Sequence, residues 1–126
     1  MPFNRGDIYQ VNFDPREEDE ELAGSEMRKE RPAVVVSVNQ IGRPRLAIVV
    51  PLTTKGGRYR KAEWMVPIQK TDENGLRELS WADASQVKSV SEQRFGDKLG
   101  RIARPRLNEI VAMIAHCVGY RPSRLT

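Results

Sequence analysis

The side chains best suited to chemistry in this sequence are cations and hydroxyls. Arg31 stands directly before the apolar run PAVVVS, where a polar stretch meets a predicted strand. A guanidinium carries a permanent charge and a planar fork of donors that fits phosphate oxygens. A surface arginine beside a strand, or one paired with Glu26 or Glu30, is the simpler explanation from the local sequence alone. The residues around Arg31 therefore leave phosphate binding and a structural ion pair open.

A second group of cations lies in the segment TKGGRYRK, directly after Thr53. Lysine and arginine bind phosphate oxygens, and a tyrosine ring stacks on bases, as in proteins that bind single-stranded RNA. An ordinary exposed hairpin tip is the alternative. The side chains concerned are Lys55, Arg58, Tyr59, Arg60 and Lys61.

Metal ligands are scarce, because the chain has one histidine and one cysteine. Many of its carboxylates are concentrated in the run Glu17–Glu21. A single cysteine excludes an internal disulfide and a cysteine-rich zinc site. His116 is placed opposite the apolar stripe of a predicted helix and should face solvent, whereas Cys117 should pack at the edge of that stripe. We expect no metal and no other cofactor.

Five strands are predicted from alternating or continuous apolar residues. Pro51 has no backbone donor, so its strand should lie at an edge or be interrupted there. The predicted strands are Ile8–Phe13, Ala33–Val38, Leu46–Thr53, Glu63–Ile68 and Ser85–Val90.

The C-terminal third has helical spacing instead. Pro105 is typical of a helix start and Gly119 of the position after a helix end. The apolar stripe consists of Leu107, Ile110, Val111, Ile114 and Val118. A strand series followed by one amphipathic helix predicts a small curled sheet or barrel with the helix packed on it.

The bulk composition fits one globular domain, 1–126. The chain has 126 residues, of which 39% are hydrophobic and 30% charged, with a net charge of +4. No apolar run approaches the roughly 20 residues of a membrane span, so we expect a cytoplasmic protein. A basic body with one acidic run favours either a polyanion as partner or simply a well-solvated surface.

Five segments in order give this chain a family resemblance: RGDIYQVNFDP, GSE, RPAVVVS, VPLTT and QVKSV. They resemble the MazF/PemK/Kid family of toxin endoribonucleases of type II toxin–antitoxin systems, from about Arg5 to Gly119. The resemblance implies an SH3-like barrel of the CcdB/PemK type with a few short helices. It also implies a homodimer, metal-independent and sequence-selective cleavage of single-stranded RNA, and a cognate antitoxin that covers the RNA groove at the dimer interface.

The resemblance also assigns roles to residues. Arg31 and Thr53 match the family's catalytic arginine and threonine, although a threonine at a strand end is also a common turn cap. Because arginine is a poor base, Arg31 is expected to stabilise transition-state charge. The residues expected along the RNA path are Glu26, Lys29, Thr54, Lys55, Arg58, Gln86 and Lys88. Trp64 and Trp81 are expected in the core or in the dimer interface.

Two departures from the family pattern stand out. Ser85 occupies the position where many members have an aspartate, and Asp83 would share its face in a strand. The acidic run Glu17–Glu21 lengthens the segment before Arg31, either as a solvated loop or as a brake on RNA binding.

Two other functions remain compatible with the sequence. A gyrase-inhibiting toxin on the same fold would cleave nothing, but such toxins resemble one another in a tryptophan-containing C-terminal tail, which this chain lacks. A non-catalytic SH3-like RNA-binding module is the second alternative.

Overall fold

The computed structural model describes residues 3–15, 29–39, 45–54 and 63–121. These residues form a mainly β fold with one α-helix, α1 (Arg104–Cys117), and two 3₁₀ turns, Ala84–Gln86 and Glu92–Arg94. The strands are β1 (Asp7–Asn12), β2 (Glu30–Val35), β3 (Leu46–Thr53), β4 (Met65–Ile68), β5 (Ser80–Asp83), β6 (Lys88–Ser91) and β7 (Phe95–Arg101).

All strand pairs are antiparallel, in the order β4-β5-β3-β2-β1-β7 with β6 also beside β3. The first half of β3 pairs with β6, and its last two residues pair with β5. A strand that belongs to two sheets forms the corner between them. β3 is therefore the element around which the sheet turns.

Pro51 lies at the point where β3 changes partners. On one side it is opposite Ala33 of β2. On the other side, the pairing passes from Val49 with Lys88 to Leu52 with Ala82. Because proline cannot donate a ladder hydrogen bond, it fits this break. The predicted interruption is confirmed, but β3 is a central strand and not an edge.

Two apolar clusters lie on opposite faces of β1, β2 and β3. Ile8, Val34 and Val50 belong to the cluster that also contains Leu107 and Ile110 of α1. Residues that alternate with them along the same strands belong to the second cluster: Tyr9, Val11, Ala33, Val35 and Val49. Phe3 is also a member of this cluster, and Phe95 packs against it. Both faces of the sheet are covered at Ile8, which is therefore fully buried.

α1 agrees with the predicted helix in most respects. Pro105 lies in its first turn. Gly119 has φ +80°, and the Gly119 and Tyr120 amides donate to the carbonyls of His116 and Ala115, which is a Schellman ending. Val118 does not extend the buried stripe, because it is 72% exposed beyond the end of the helix. No helix among the residues described is long and apolar enough to cross a membrane.

The strand predicted at Ser85–Val90 is partly wrong. Its first residues form the Ala84–Gln86 turn, and β6 begins at Lys88. The reason is local, because Asp83 accepts hydrogen bonds from the Ser85 amide at 3.0 Å and the Ser85 hydroxyl at 2.6 Å. A carboxylate that caps a turn in this way competes with the strand ladder.

Candidate active site

The fold brings Arg31 and Thr53 to one end of the β2–β3 pair. Arg31 is the second residue of β2, and Thr53 is the last residue of β3. Ala33 lies opposite Pro51 in this pair. Arg31 precedes Ala33 by two residues and Thr53 follows Pro51 by two, so both continue from this pair toward the same end of the sheet. Residues two apart on a strand share a face. The two side chains therefore belong to the same face at the same sheet end, although 21 residues separate them in sequence.

The neighbouring strands support both residues. Val11 of β1 is the register partner of Arg31 and is fully buried, whereas Trp81 of β5 is the partner of Thr53. Arg31 and Thr53 are themselves half-buried. Both are therefore mounted on paired strands at the margin of the core, where a ligand can reach them.

Partial burial changes the electrostatics of Arg31. It lowers the pKa of the guanidinium from its usual value, while the Asp14 carboxylate acts in the opposite direction. Removal of water disfavours a cation unless an anion compensates. A phosphate group on this face would supply that compensation, and the guanidinium fork suits its oxygens.

Lys29 lies directly before β2 and is exposed. Its backbone is fixed to the end of β1: its amide donates to Asp14 Oδ1 at 2.7 Å, and its carbonyl accepts from the Phe13 amide at 3.0 Å. The position of Lys29 next to the catalytic candidate Arg31 is compatible with its predicted contact to phosphate, which stays a prediction.

Lys88 and Gln86 lie further along the sheet. Lys88 is opposite Val49 in the β3–β6 pair, and Thr53 follows Val49 by four positions along β3. At about 3.3 Å per residue, this is about 13 Å. Gln86 is half-buried at the end of the 84–86 turn, and Thr54 is exposed directly after Thr53. If RNA contacts both Arg31 and Lys88, it must extend along the strand direction of β3.

Asp83 is placed differently from the prediction. It is buried and caps the 84–86 turn through Ser85, so the two side chains meet through a cap instead of sharing a strand face. At position 85, where the family resemblance predicts an aspartate, the Ser85 hydroxyl donates a hydrogen bond to Asp83 instead.

Several predicted residues lie outside the described residues, and their roles stay predictions. They are Glu26, Lys55 and Arg58, with the neighbouring Tyr59, Arg60 and Lys61, and the acidic run Glu17–Glu21.

The structure corrects the placement of Cys117, which was expected to pack but is exposed because the helix ends there. Trp64 is 41% exposed and Trp81 half-buried, so neither is a core residue, and their alternative placement in a dimer interface stays a prediction. His116 is exposed, as predicted.

Two residues that the sequence analysis did not select stand at the same corner. Asp14 bonds to Lys29, and Arg94 Nη1 donates to the carbonyls of Asn12 at 3.0 Å and Asp14 at 2.8 Å. Asp14 belongs to the motif RGDIYQVNFDP, in which an Asp-Pro dipeptide is typical of a strand end and gives no sign of a further contact. Nothing in the local sequence pointed to Arg94, because its contacts are 80 and 82 residues away.

Among the residues that the structure describes, no group of three or more histidine, cysteine, aspartate or glutamate side chains could hold a metal ion. Arg31 and Thr53 are not preferred metal ligands. Metal independence stays a prediction for experiment.

Comparison with known proteins gives a consistent result. Residues 4–118 match the family described as PemK-like, MazF-like toxin of type II toxin-antitoxin system. Endoribonuclease MazF9 of Mycobacterium tuberculosis is 30% identical over 113 residues, which cover 84% of this chain and 87% of the relative.

Solved structures share the fold. MazF from Deinococcus radiodurans superposes with a TM-score of 0.73 at 21% identity, covering 94% of this chain and 98% of the other. A mycobacterial endoribonuclease in complex with its cognate antitoxin gives a TM-score of 0.64 at 20% identity, covering 96% and 97% of the two chains. The predicted fold class, a mainly β barrel with a C-terminal helix, is confirmed. The chain belongs to the PemK-like, MazF-like toxin family of type II toxin–antitoxin systems.

Proposed function

We propose that this protein is the toxin of a type II toxin–antitoxin pair and a sequence-selective endoribonuclease that cleaves single-stranded RNA, such as messenger RNA, without a metal ion. The observation that carries the proposal is the placement of Arg31 and Thr53 on one face at one end of the β2–β3 pair. Relatives that are named endoribonucleases support the same activity.

The proposed reaction is an internal transfer at phosphorus. The ribose 2′-oxygen forms a bond to the adjacent phosphorus, and the bond from phosphorus to the 5′-oxygen breaks. The 2′-hydroxyl loses a proton and the leaving 5′-oxygen gains one, giving 2′,3′-cyclic phosphate and 5′-hydroxyl ends. Such a reaction needs in-line orientation and stabilisation of charge on the phosphoryl oxygens.

Arg31 and Thr53 supply that stabilisation in the proposal. The half-buried guanidinium of Arg31 donates to the phosphoryl oxygens as their negative charge grows. The Thr53 hydroxyl donates a further hydrogen bond from the end of β3. Both strands are fixed in a sheet, so the donors need little reorganisation when the reaction occurs.

The partners follow from the same proposal. We infer a homodimer, a cognate antitoxin that silences the enzyme, and a cytoplasmic location where RNA is available. The mycobacterial structure with its cognate antitoxin supports the second inference by similarity of fold.

The test is cleavage of a mixed-sequence single-stranded RNA in excess EDTA, with chemical mapping and sequencing of the ends. We expect cleavage at a short recurring motif with cyclic phosphate ends. Arg31→Ala and Thr53→Ala should each lower cleavage at least about 100-fold, the scale of losing one oxyanion-type donor. Binding of a non-cleavable 2′-O-methyl RNA should fall much less.

Matched variants control this test. Arg45→Ala removes the same charge at the opposite end of β3. Arg45 is exposed, and its Nη1 lies 3.8 Å from Glu92 Oε1. This variant should leave the cleavage rate near that of the wild type. Thr53→Ser keeps the hydroxyl and should retain activity. Rapid cleavage by Arg31→Ala would refute the assignment, and RNA binding without cleavage by the wild type would favour a non-catalytic module.

A further inference from the structure

The corner between β1 and β2 holds a hydrogen-bonded latch, which we define as the Asp14 carboxylate and the backbone of Lys29. The Lys29 amide donates to Asp14 Oδ1 at 2.7 Å. The Lys29 carbonyl accepts from the Phe13 amide at 3.0 Å. Both polar backbone groups of Lys29 are therefore tied to the residues that follow β1.

Lys29 adopts a conformation that lysine does not prefer. Its φ is +72°, which makes it a non-glycine residue with positive φ. The left-handed region is unfavourable for any residue with a Cβ atom, but glycine adopts it freely. Lys29 needs stabilising contacts to stay in this conformation, and the latch supplies two of them.

The latch is held from a second side by Arg94. One guanidinium nitrogen, Nη1, donates to the carbonyl of Asn12 at 3.0 Å and to that of Asp14 at 2.8 Å. The chain that carries the Asp14 carboxylate is thus fixed to the β6–β7 connection, independently of Lys29.

A displacement at Lys29 would be transmitted directly to Arg31. Lys29 precedes β2 by one residue, and the first pairs of the β1–β2 ladder are Asn12 with Glu30 and Val11 with Arg31. The left-handed turn at Lys29 thus sets the direction in which β2 starts. Burial lowers the pKa of Arg31, and the Asp14 carboxylate partly opposes this effect.

We propose that Asp14 is a positioning residue: its hydrogen bond holds Lys29 in the left-handed conformation, and this conformation orients Arg31 toward the scissile phosphate. The inference rests on the proposed ribonuclease function. It predicts a loss in kcat with little change in KM, because Asp14 acts through Arg31 and does not itself hold RNA.

The test compares Asp14→Ala in two backgrounds, Lys29→Ala and Lys29→Gly. Both backgrounds lose the same ammonium group, but only glycine adopts φ +72° without help. Asp14→Ala should lower kcat at least about tenfold in the alanine background, since displacement by about 1 Å can cost up to 100-fold. In the glycine background we expect a loss of kcat below about threefold, because glycine adopts φ +72° without the hydrogen bond to Asp14.

Asp14→Asn gives a second measure in the wild-type background. The amide oxygen can still accept from the Lys29 amide, so kcat should stay within about threefold of wild type if the hydrogen bond positions Arg31. A loss as large as that of Asp14→Ala would overturn the proposal, and so would equal losses in both Lys29 backgrounds. An inactive wild-type protein would overturn the proposed function, and with it this inference.

Discussion

Tyr9 shows how burial acts on a single ionisable group in this protein. Its side chain is 3% exposed and contacts Phe3 and Phe95 edge to face, with ring centroids 5.5 and 5.3 Å apart. Burial raises the pKa of the Tyr9 hydroxyl above its usual value, and the Asp7 carboxylate raises it further. The folded state therefore keeps the proton in a range where the unfolded chain has released it.

This shift predicts a loss of stability in alkali. Below about pH 10, tyrosine is neutral in both states and its contribution is fully present. As the pH rises through the folded pKa, the unfolded state is favoured because it ionises more easily. Urea midpoints measured from about pH 8 to 11, a range that brackets the usual tyrosine pKa, should therefore fall. Tyr9→Phe, which keeps the ring, should reduce the fall.

The comparison needs a Cys117→Ser background. Although Cys117 is exposed, partial desolvation by its neighbours and the Asp83 carboxylate raise the pKa of its thiol, so its ionisation affects the same alkaline range. Parallel curves with and without the Tyr9→Phe substitution in that background would show that Tyr9 does not cause the loss.

At the residue scale, the candidate site was only partly accessible from the sequence. Arg31 and Thr53 were selected from short motifs, but their shared face follows from the β2–β3 register, which no local pattern contains. Asp14 was overlooked because a DP dipeptide predicts a strand end whether or not its carboxylate binds elsewhere. The positive φ of Lys29 has no signal in the sequence, since lysine does not favour it.

At the element scale, α1 contributes to the fold mainly through two buried side chains, Leu107 and Ile110. Ile110 is 0% exposed and belongs to the cluster shared with β1, β2 and β3. Ile110→Ala should lower the free energy of unfolding by about 2–5 kcal/mol, from lost burial and the cavity left behind.

Val38→Ala is the matched control for that measurement. Val38 is 66% exposed and lies after the end of β2, outside α1, so its truncation should change the free energy of unfolding by no more than about 0.5 kcal/mol. Urea denaturation of both variants tests the prediction. Similar losses for the two variants would contradict the special contribution of the buried Ile110 side chain.

The strands divide into those that the sequence predicts and those that it does not. β3 was predicted with its observed bounds, because LAIVVPLT is long, apolar and β-branched. β5 and β7 were missed. β5 has four residues, and β7 (FGDKLGR) contains two glycines and pairs with β1 across register shifts on either side of Tyr9. Short strands and irregular ladders depend on the partner strand, so local periodicity does not reveal them.

Gly100 illustrates what a partner segment can require. A Cβ atom at this position would lie 2.1 Å from the Glu73 carbonyl oxygen, so the 73–74 backbone can approach β7 only at a glycine. In the sequence, the same glycine counts against a strand.

At the scale of the whole molecule, the part of the chain that the structure describes leaves an apolar surface open between β4 and α1. A groove of about 520 Å³ lies between β4 and α1, with Met65, Pro67, Ala112 and Met113 among its lining residues. Glu63, Glu109 and His116 also line it. Three exposed apolar side chains are close in sequence to residues that line the groove. They are Trp64 (41% exposed), between Glu63 and Met65, and Val118 (72%) and Tyr120 (62%), which follow His116. Exposed apolar surface of this kind is typical of protein–protein contact.

The proposed homodimer gives this surface a definite occupant, a second copy of the chain. Ala112 is exposed in the groove, on the same helix face as Glu109, Met113 and His116. Ala112→Lys should weaken dimerisation at least about 100-fold, because the longer side chain occupies space that the second copy would fill, and burying its charge costs several kcal/mol even beside Glu109. Asn108→Lys places the same charge at an exposed position of α1 that does not line the groove, and should leave assembly unchanged.

Light scattering coupled to size exclusion would measure the outcome. We expect twice the chain mass of 14.4 kDa for the wild type and Asn108→Lys, and a mass approaching 14.4 kDa for Ala112→Lys at low micromolar concentration. Circular dichroism of each variant would show that α1 is intact. If Ala112→Lys keeps the dimer mass, the interface lies elsewhere; if the wild type is monomeric, the homodimer proposal fails. The lining of the groove includes neither Arg31 nor Thr53, so the same measurement distinguishes dimerisation through this groove from dimerisation beside the RNA groove, which the family resemblance implies.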